Sequence, residues 1–180
     1  MLVKPNEGIW ALELWGTLLT PLMARNALKS NVIWTSYPFI TPTGASGFFA
    51  DVLDGIRWYE KNDNQVRHLH ERPEYPGMFA LGAYPSSHSK MSRRHFRAHL
   101  GSVSFNYEAY VWAASRNEGK KLAVIEELLT DTLRFVVIAP ELKSLQEFYR
   151  AVRGQIAPIA KKGCIQLECA ARPALVHLER

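Results

Sequence analysis

Cysteine is scarce in this chain, with only Cys164 and Cys169 among 180 residues. The two lie five apart in an expected strand and so point to opposite faces. That excludes a disulfide between them and a metal clip built on them, and it reads as two buried free thiols of an intracellular, cytoplasmic protein. Long apolar runs are also missing. None approaches the ~20 residues that a membrane span needs, which excludes a transmembrane chain. Lys4 and Glu7 come early, and no small-residue cleavage site follows an uninterrupted apolar stretch, so no signal peptide is expected.

The familiar catalytic and cofactor signatures are absent as well. There is no Gly-x-Ser-x-Gly elbow, no phosphate-binding Gly-Lys-Ser/Thr loop and no dinucleotide fingerprint. His95 and His99 are four apart, but no Glu follows His95 as in a metalloprotease. His68 and His70 flank Leu69 without the carboxylates and cysteines of a zinc site. Neither a cofactor nor a metal is expected.

The most telling absence is of acid. Between Glu74 and Glu108 there is no Asp or Glu. The same window holds Lys90, Arg93, Arg94 and Arg97, with His88, His95 and His99, and Tyr84, Phe96, Phe105 and Tyr107 are interleaved. Each phosphate that a cation neutralises releases counterions, so clustered cations supply a salt-sensitive affinity for nucleic acid. Neighbouring aromatic rings and arginines grip unpaired bases by stacking. The alternative is a solvated basic loop. The overall balance of 22 Lys+Arg against 17 Asp+Glu permits a nucleic-acid partner without demanding one.

Apolar content of 47% and charged content of 22% are those of a globular chain. The length suits one core, so residues 1–180 are expected to form a single domain. Gly8 to Leu19 reads as an opening strand closed by Thr20-Pro21, and Arg25 to Ile40 as an irregular connection. From Gly44 to about Tyr59, Phe48, Phe49, Val52, Leu53 and Ile56 recur at helical spacing. Met78 to Leu81 is a short strand, and Ser102 to Trp112 alternates strongly as another. Leu122 to Leu129 fits helix or strand. Leu133 to Ala139 is a clear strand stopped by Pro140, and Glu141 to Arg153 carries an apolar stripe ended by Gly154. Cys164–Cys169 and Ala174–Leu178 close the chain as short strands. The order predicts an α+β fold of the ferredoxin-like (RRM-like) kind: an antiparallel sheet with two helices on one face and an inserted long β-hairpin at about 84–112.

Ser36 to Phe49 joins a proline-stiffened loop to the start of the first helix. Pro38 and Pro42 fix φ, Thr43 is the expected cap, and Gly44, Ser46 and Gly47 keep the helix start free of bulk. Such an end is a seat for phosphate, or else an ordinary loop-to-helix junction. Lys161-Lys162-Gly163 is a basic turn and a second expected phosphate contact.

Together these residues resemble the CRISPR-associated Cas family five of the RAMP superfamily. The resemblance rests on Tyr37-Pro38 through Pro42-Thr43-Gly44 to Gly47 at a helix start. It extends to the run Glu127 to Ile138 and to Lys161-Lys162-Gly163. It implies a non-catalytic, RNA-binding subunit of a type I CRISPR interference complex (Cascade) in antiviral defence, capping the 5′ handle of the CRISPR RNA. The implied neighbours are the backbone subunit of Cas family seven and the large subunit, with target DNA nearby. On that reading Arg25 and Lys29 meet phosphates, Tyr37 stacks or packs, and Gly44 to Gly47 offer N–H groups. Lys90, Arg93, Arg94 and Arg97 clamp from the hairpin, the family's thumb, beside His95. RNA-cutting members use a Lys-His pair. This chain has Arg94-His95 and no Lys-His, which argues against precursor processing. Two other readings stand beside this one. The first is a metal-independent endoribonuclease using His95 or His99 with Tyr37. The second is a generic basic protein-interaction domain exposing Trp34, Trp58 and Phe96.

Overall fold

The computed structural model describes residues 8–24, 33–55, 68–86, 91–100, 103–106, 111–114, 121–160 and 163–176. Strand β1 (Ile9–Thr20) pairs along most of its length with β8 (Thr132–Ala139), and on its other side with β10 (Gly163–Ala170). Strand β3 (Phe79–Pro85) pairs with the far edge of β8. The order β3-β8-β1-β10, antiparallel throughout, is that of a ferredoxin-like core. The fold is α+β, as the element order predicts. Edge strand β9 (Ile156–Ile159), which the sequence pattern did not single out, extends the sheet beyond β10, and β11 (Ala174–Val176) pairs with the start of β1.

Period-two alternation sets which face is buried. Leu12 and Leu14 of β1 lie opposite Val137 and Phe135 of β8, and all four are buried. Gly16 continues that face where a Cβ would come within 2.7 Å of the Ile165 side chain, which fills the space a larger residue would need. Two helices cover this face. Helix α1 (Pro42–Leu53) sets Phe48 and Phe49 against Phe135 at centroid distances of 5.3 and 5.1 Å. Helix α2 (Leu142–Val152) buries Leu145, Phe148 and Val152, and the Phe148 ring meets Phe49 edge-on at 5.1 Å. Offset and edge-on ring pairs add to the apolar area removed from water.

Helix α1 corrects the expected cap. The N-cap is Thr41, whose hydroxyl accepts from the Gly44 N–H at 3.2 Å, and Pro42 takes the first helical position. Proline is suited to that place because its missing N–H would have had no helical partner. Thr43 is therefore already inside the helix. The helix stops at Leu53 and not near Tyr59. Gly55, at φ +75°, turns the chain out of it, and residues 56–59 lie outside the described residues.

The inserted hairpin also departs from expectation. Strand β4 (Met91–Leu100) pairs residue for residue with β7 (Lys121–Thr130), so the returning arm is the segment that fitted helix or strand equally. The hairpin thus reaches past 84–112 to Thr130. Ser102 to Trp112 is not one strand. It divides into β5 (Val103–Asn106) and β6 (Val111–Ala114), which pair with each other. Alternation is the same in one strand as in two that fold back, so the pattern could not reveal the break. The β4–β7 pair belongs to a second sheet and follows the β3–β8 pair along the chain: Pro85 lies opposite Leu133 and Met91 opposite Thr130. A short strand β2 (Ile33–Trp34) runs parallel to β7, and Leu22 bridges Leu128. No helix among the described residues is long and apolar enough to cross a membrane.

Candidate nucleic-acid interface

The start of α1 is less open than its small residues imply. Pro42 has no N–H, the Gly44 N–H is held by the Thr41 hydroxyl, and the Ala45 N–H by the Thr41 carbonyl at 2.9 Å. Ser46 is buried, and its hydroxyl accepts the Leu69 N–H at 2.9 Å, which ties it to packing. Thr43, Gly44 and Gly47 instead line a cleft that α1 shares with Pro158 and Ala160 at the end of β9. Ala160 adopts φ +53°, a left-handed conformation that few non-glycine residues take. It leads directly to Lys161 and Lys162, which lie outside the described residues.

The segment before α1 runs along the outer edge of β3. Ile40 and Ala83 exchange backbone hydrogen bonds of 2.8 and 3.0 Å. Gly82 makes this approach feasible: at φ +118°, a Cβ there would sit 2.8 Å from the Ile40 carbonyl. Tyr37, Phe39 and Tyr84 follow as a row of rings with centroids 5.6 Å apart. The Tyr37 N–H donates to the Ala24 carbonyl at 2.7 Å, which fixes the ring at the edge of the sheet. Arg25 and Lys29, expected beside it, lie outside the described residues.

On the arm, cross-strand pairing alters the electrostatics read from the sequence. Arg94 lies opposite Glu127 and His95 opposite Glu126. The Arg94 guanidinium donates to Glu127 at 2.6 Å, His95 Nε2 is 3.2 Å from Glu126 Oε2, and Arg93 is 3.3 Å from Glu126 Oε1. Both carboxylates are buried at 5% exposure, whereas the Arg93 and Arg94 side chains remain about half exposed. The acid-free window is therefore not free of acid in space: β7 places two carboxylates beneath its cations. Their signal was the adjacent pair Glu126-Glu127 in an otherwise apolar run. It says nothing until the register is known. Arg97 lies in β4 with its side chain outside the described residues, and Lys90 lies outside them altogether. The side chains of Trp34, Phe96 and His99, and all of Trp58, are likewise outside them. Cys164 is a free thiol and half-buried rather than buried.

One grouping went unrecognised in the sequence. Leu69–Glu71 forms a single 3₁₀ turn whose Leu69 is fully buried, and it sets His68 and His70 parallel to one another and to Phe79 of β3. Arg72, itself buried, anchors the turn to α1 by donating to the Ala50 carbonyl at 2.9 Å and by pairing with Asp54.

No family model matches the chain, and no curated protein matches it. Among solved structures, one chain of the cryo-EM structure of the Type III-B Cmr-beta bound to cognate target RNA is similar at 11% identity and a TM-score of 0.47. The match covers 87% of this chain and 63% of that one. A chain of the same assembly bound to cognate target RNA and AMPPnP, state 1, gives 12% identity and a TM-score of 0.44, over 88% of this chain and 62% of that one. This chain therefore spans less than two thirds of the length of either.

Proposed function

We propose that the chain is a non-catalytic, RNA-binding subunit of a type I CRISPR interference complex, seated on the 5′ handle of the CRISPR RNA. The observation that carries this reading is the arm. The central hairpin of a ferredoxin-like core extends into β4 and β7, and the outer strand presents half-exposed Arg93 and Arg94. The Tyr37-Pro38 to Gly47 motif, which resembles Cas family five, lies where the loop meets the same core. An arm of this kind covers RNA from one side while the edge rings and the α1–β9 cleft meet it from the other. The partners that follow are a backbone subunit of Cas family seven against the arm and the large subunit beside the core, with target DNA nearby. The half-exposed Arg93 and Arg94 guanidinium groups would meet phosphates from the outer strand of the arm.

Sequencing the RNA that co-purifies with the full chain tests the reading, with enrichment of one repeat-derived 5′ end expected. Replacing Lys90, Arg93, Arg94 and Arg97 together by Glu should weaken binding to that RNA and make its salt dependence shallower, because fewer phosphates are neutralised. Unchanged binding would remove the arm from the interface, and a purified protein free of nucleic acid would remove the RNA reading. Incubation with repeat RNA in chelator is expected to yield no specific product. A discrete cleavage product would favour the metal-independent ribonuclease.

A further inference from the structure

His68, His70 and Phe79 form a continuous ladder, with centroids 5.5 and 5.6 Å apart and planes within 9° and 10° of parallel. These are offset-stacked rings, the geometry that aromatic and heteroaromatic faces prefer. The ladder is one wall of a groove, and its other wall is the first turns of α1: Pro42, Thr43 and Ser46. Phe79 is 47% exposed, a large apolar ring left in water on a strand whose neighbour Ala80 is buried.

The wall is rigid by construction. Leu69, between the two histidines, is sealed in the core, and its N–H is held by Ser46. The His68 N–H is held by Glu71 at 3.1 Å, and Arg72 fixes the end of the turn. Three parallel rings on a fixed support gain most from a fourth planar ring, whereas an aliphatic side chain would gain nothing from their alignment. The groove also has polar residues on both walls, Thr43 on one and His68 and His70 on the other, suited to the heteroatom edge of a base. It adjoins the cleft described above, because Thr43 lines both this groove and the cleft between α1 and the end of β9.

We propose that this groove takes one unstacked nucleobase of the bound RNA, held against the His68–His70–Phe79 ladder, so that the chain crosses the start of α1 between the cleft and the groove. The inference rests on the RNA-binding reading but places a contact that the arm and the edge rings do not. It assigns to His68 and His70 a recognition role without any proton transfer.

Ultraviolet crosslinking of the full chain to a randomised single-stranded RNA pool of about 12 nucleotides, with mass mapping of the adduct, tests it. Total binding is measured in parallel. The expected adduct falls on Phe79 or His70. Phe79→Leu should weaken binding about tenfold, since stacking on one aromatic ring is worth roughly 1–3 kcal/mol by substitution, while Phe79→Trp should hold affinity near the original. His70→Ala, on an exposed ring, serves as a second variant whose folding is checked by its unfolding midpoint. RNA binding that persists undiminished in Phe79→Leu and His70→Ala, without an adduct in the groove, would overturn the groove and leave the arm standing. Absence of any RNA binding would overturn both.

Discussion

The core sheet and the arm are joined through consecutive strands β7 and β8, yet they are held by opposite means. In the core, β8 meets its neighbours through apolar partners, Ala83 and Leu14 against Phe135 and Leu12 against Val137, beneath two helices. In the arm, the β4–β7 ladder carries Arg94 against Glu127 and His95 against Glu126. Apolar burial is non-directional and tolerates small shifts, whereas a buried carboxylate demands its own cation at a fixed place. The core is thus specified by volume and the arm by register. Part of the arm's positive charge is spent on the arm's own structure, so on the proposed RNA-binding reading its affinity for RNA would be set by the difference between its cations and its hidden acids.

Four measurements would break or sharpen that contrast. The largest effect belongs to the core: Phe135→Ala removes a fully buried ring that stacks on Phe48 and packs tilted against Phe49. It should cost about 3–5 kcal/mol, read as a lower urea midpoint at unchanged slope. In the arm, Glu126→Gln with Glu127→Gln should cost about 1.5–3 kcal/mol of stability, the range of hydrogen bonds to charged groups. The same change should tighten RNA binding and steepen its salt dependence as two negative charges leave the arm. Equal affinity for the variant and the parent would mean that the arm's cations do not reach RNA. Thr41→Ala deletes the cap of α1 and should lower stability by about 1 kcal/mol, with RNA affinity unchanged if the helix start is only structural. The smallest effect concerns Tyr75. Burial raises its pKa above 10.0, with the Glu74 and Glu147 carboxylates adding to the rise. The folded state therefore keeps a proton that the unfolded chain loses. The resulting stability is fully present below about pH 10 and declines as pH climbs through the folded-state value. An absorbance titration should find one tyrosine ionising later than the exposed ones.

What the sequence revealed follows from the range of the forces involved. The stripe Leu145, Phe148, Val152 and the alternation Leu133 to Ala139 are short-range patterns, and both elements stand where those patterns place them. The cap moved by two residues because proline at the first helical position competes with the threonine after it. The hairpin was misread for a longer-range reason. Its partner strand Lys121–Thr130 carries Glu126 and Glu127 where a helix surface would, and only pairing with β4 makes them interior residues. The ring ladder was hidden in the same way. His68, His70 and Phe79 are separated by a turn, and nothing in their spacing says that Leu69 is nailed to the core between them. Of the residues expected to touch RNA, Arg93, Arg94 and His95 lie together on the arm with their acids beneath them. Ser46 is consumed by packing, and Thr43, Gly44 and Gly47 belong to a cleft rather than to an open helix end.

Strand β4 is the outer member of its three-stranded sheet, an edge whose described partner is β7 alone. A ten-residue strand with one free edge is a template on which a second copy can add. Arg93, Arg94 and His95 place cationic or titratable groups on both faces of that edge, so two copies meeting there would set like charges side by side. The ladder that holds the arm to its own protein also keeps it from adhering to its twin. An edge whose described partner is β7 alone thus favours a partner of a different charge pattern.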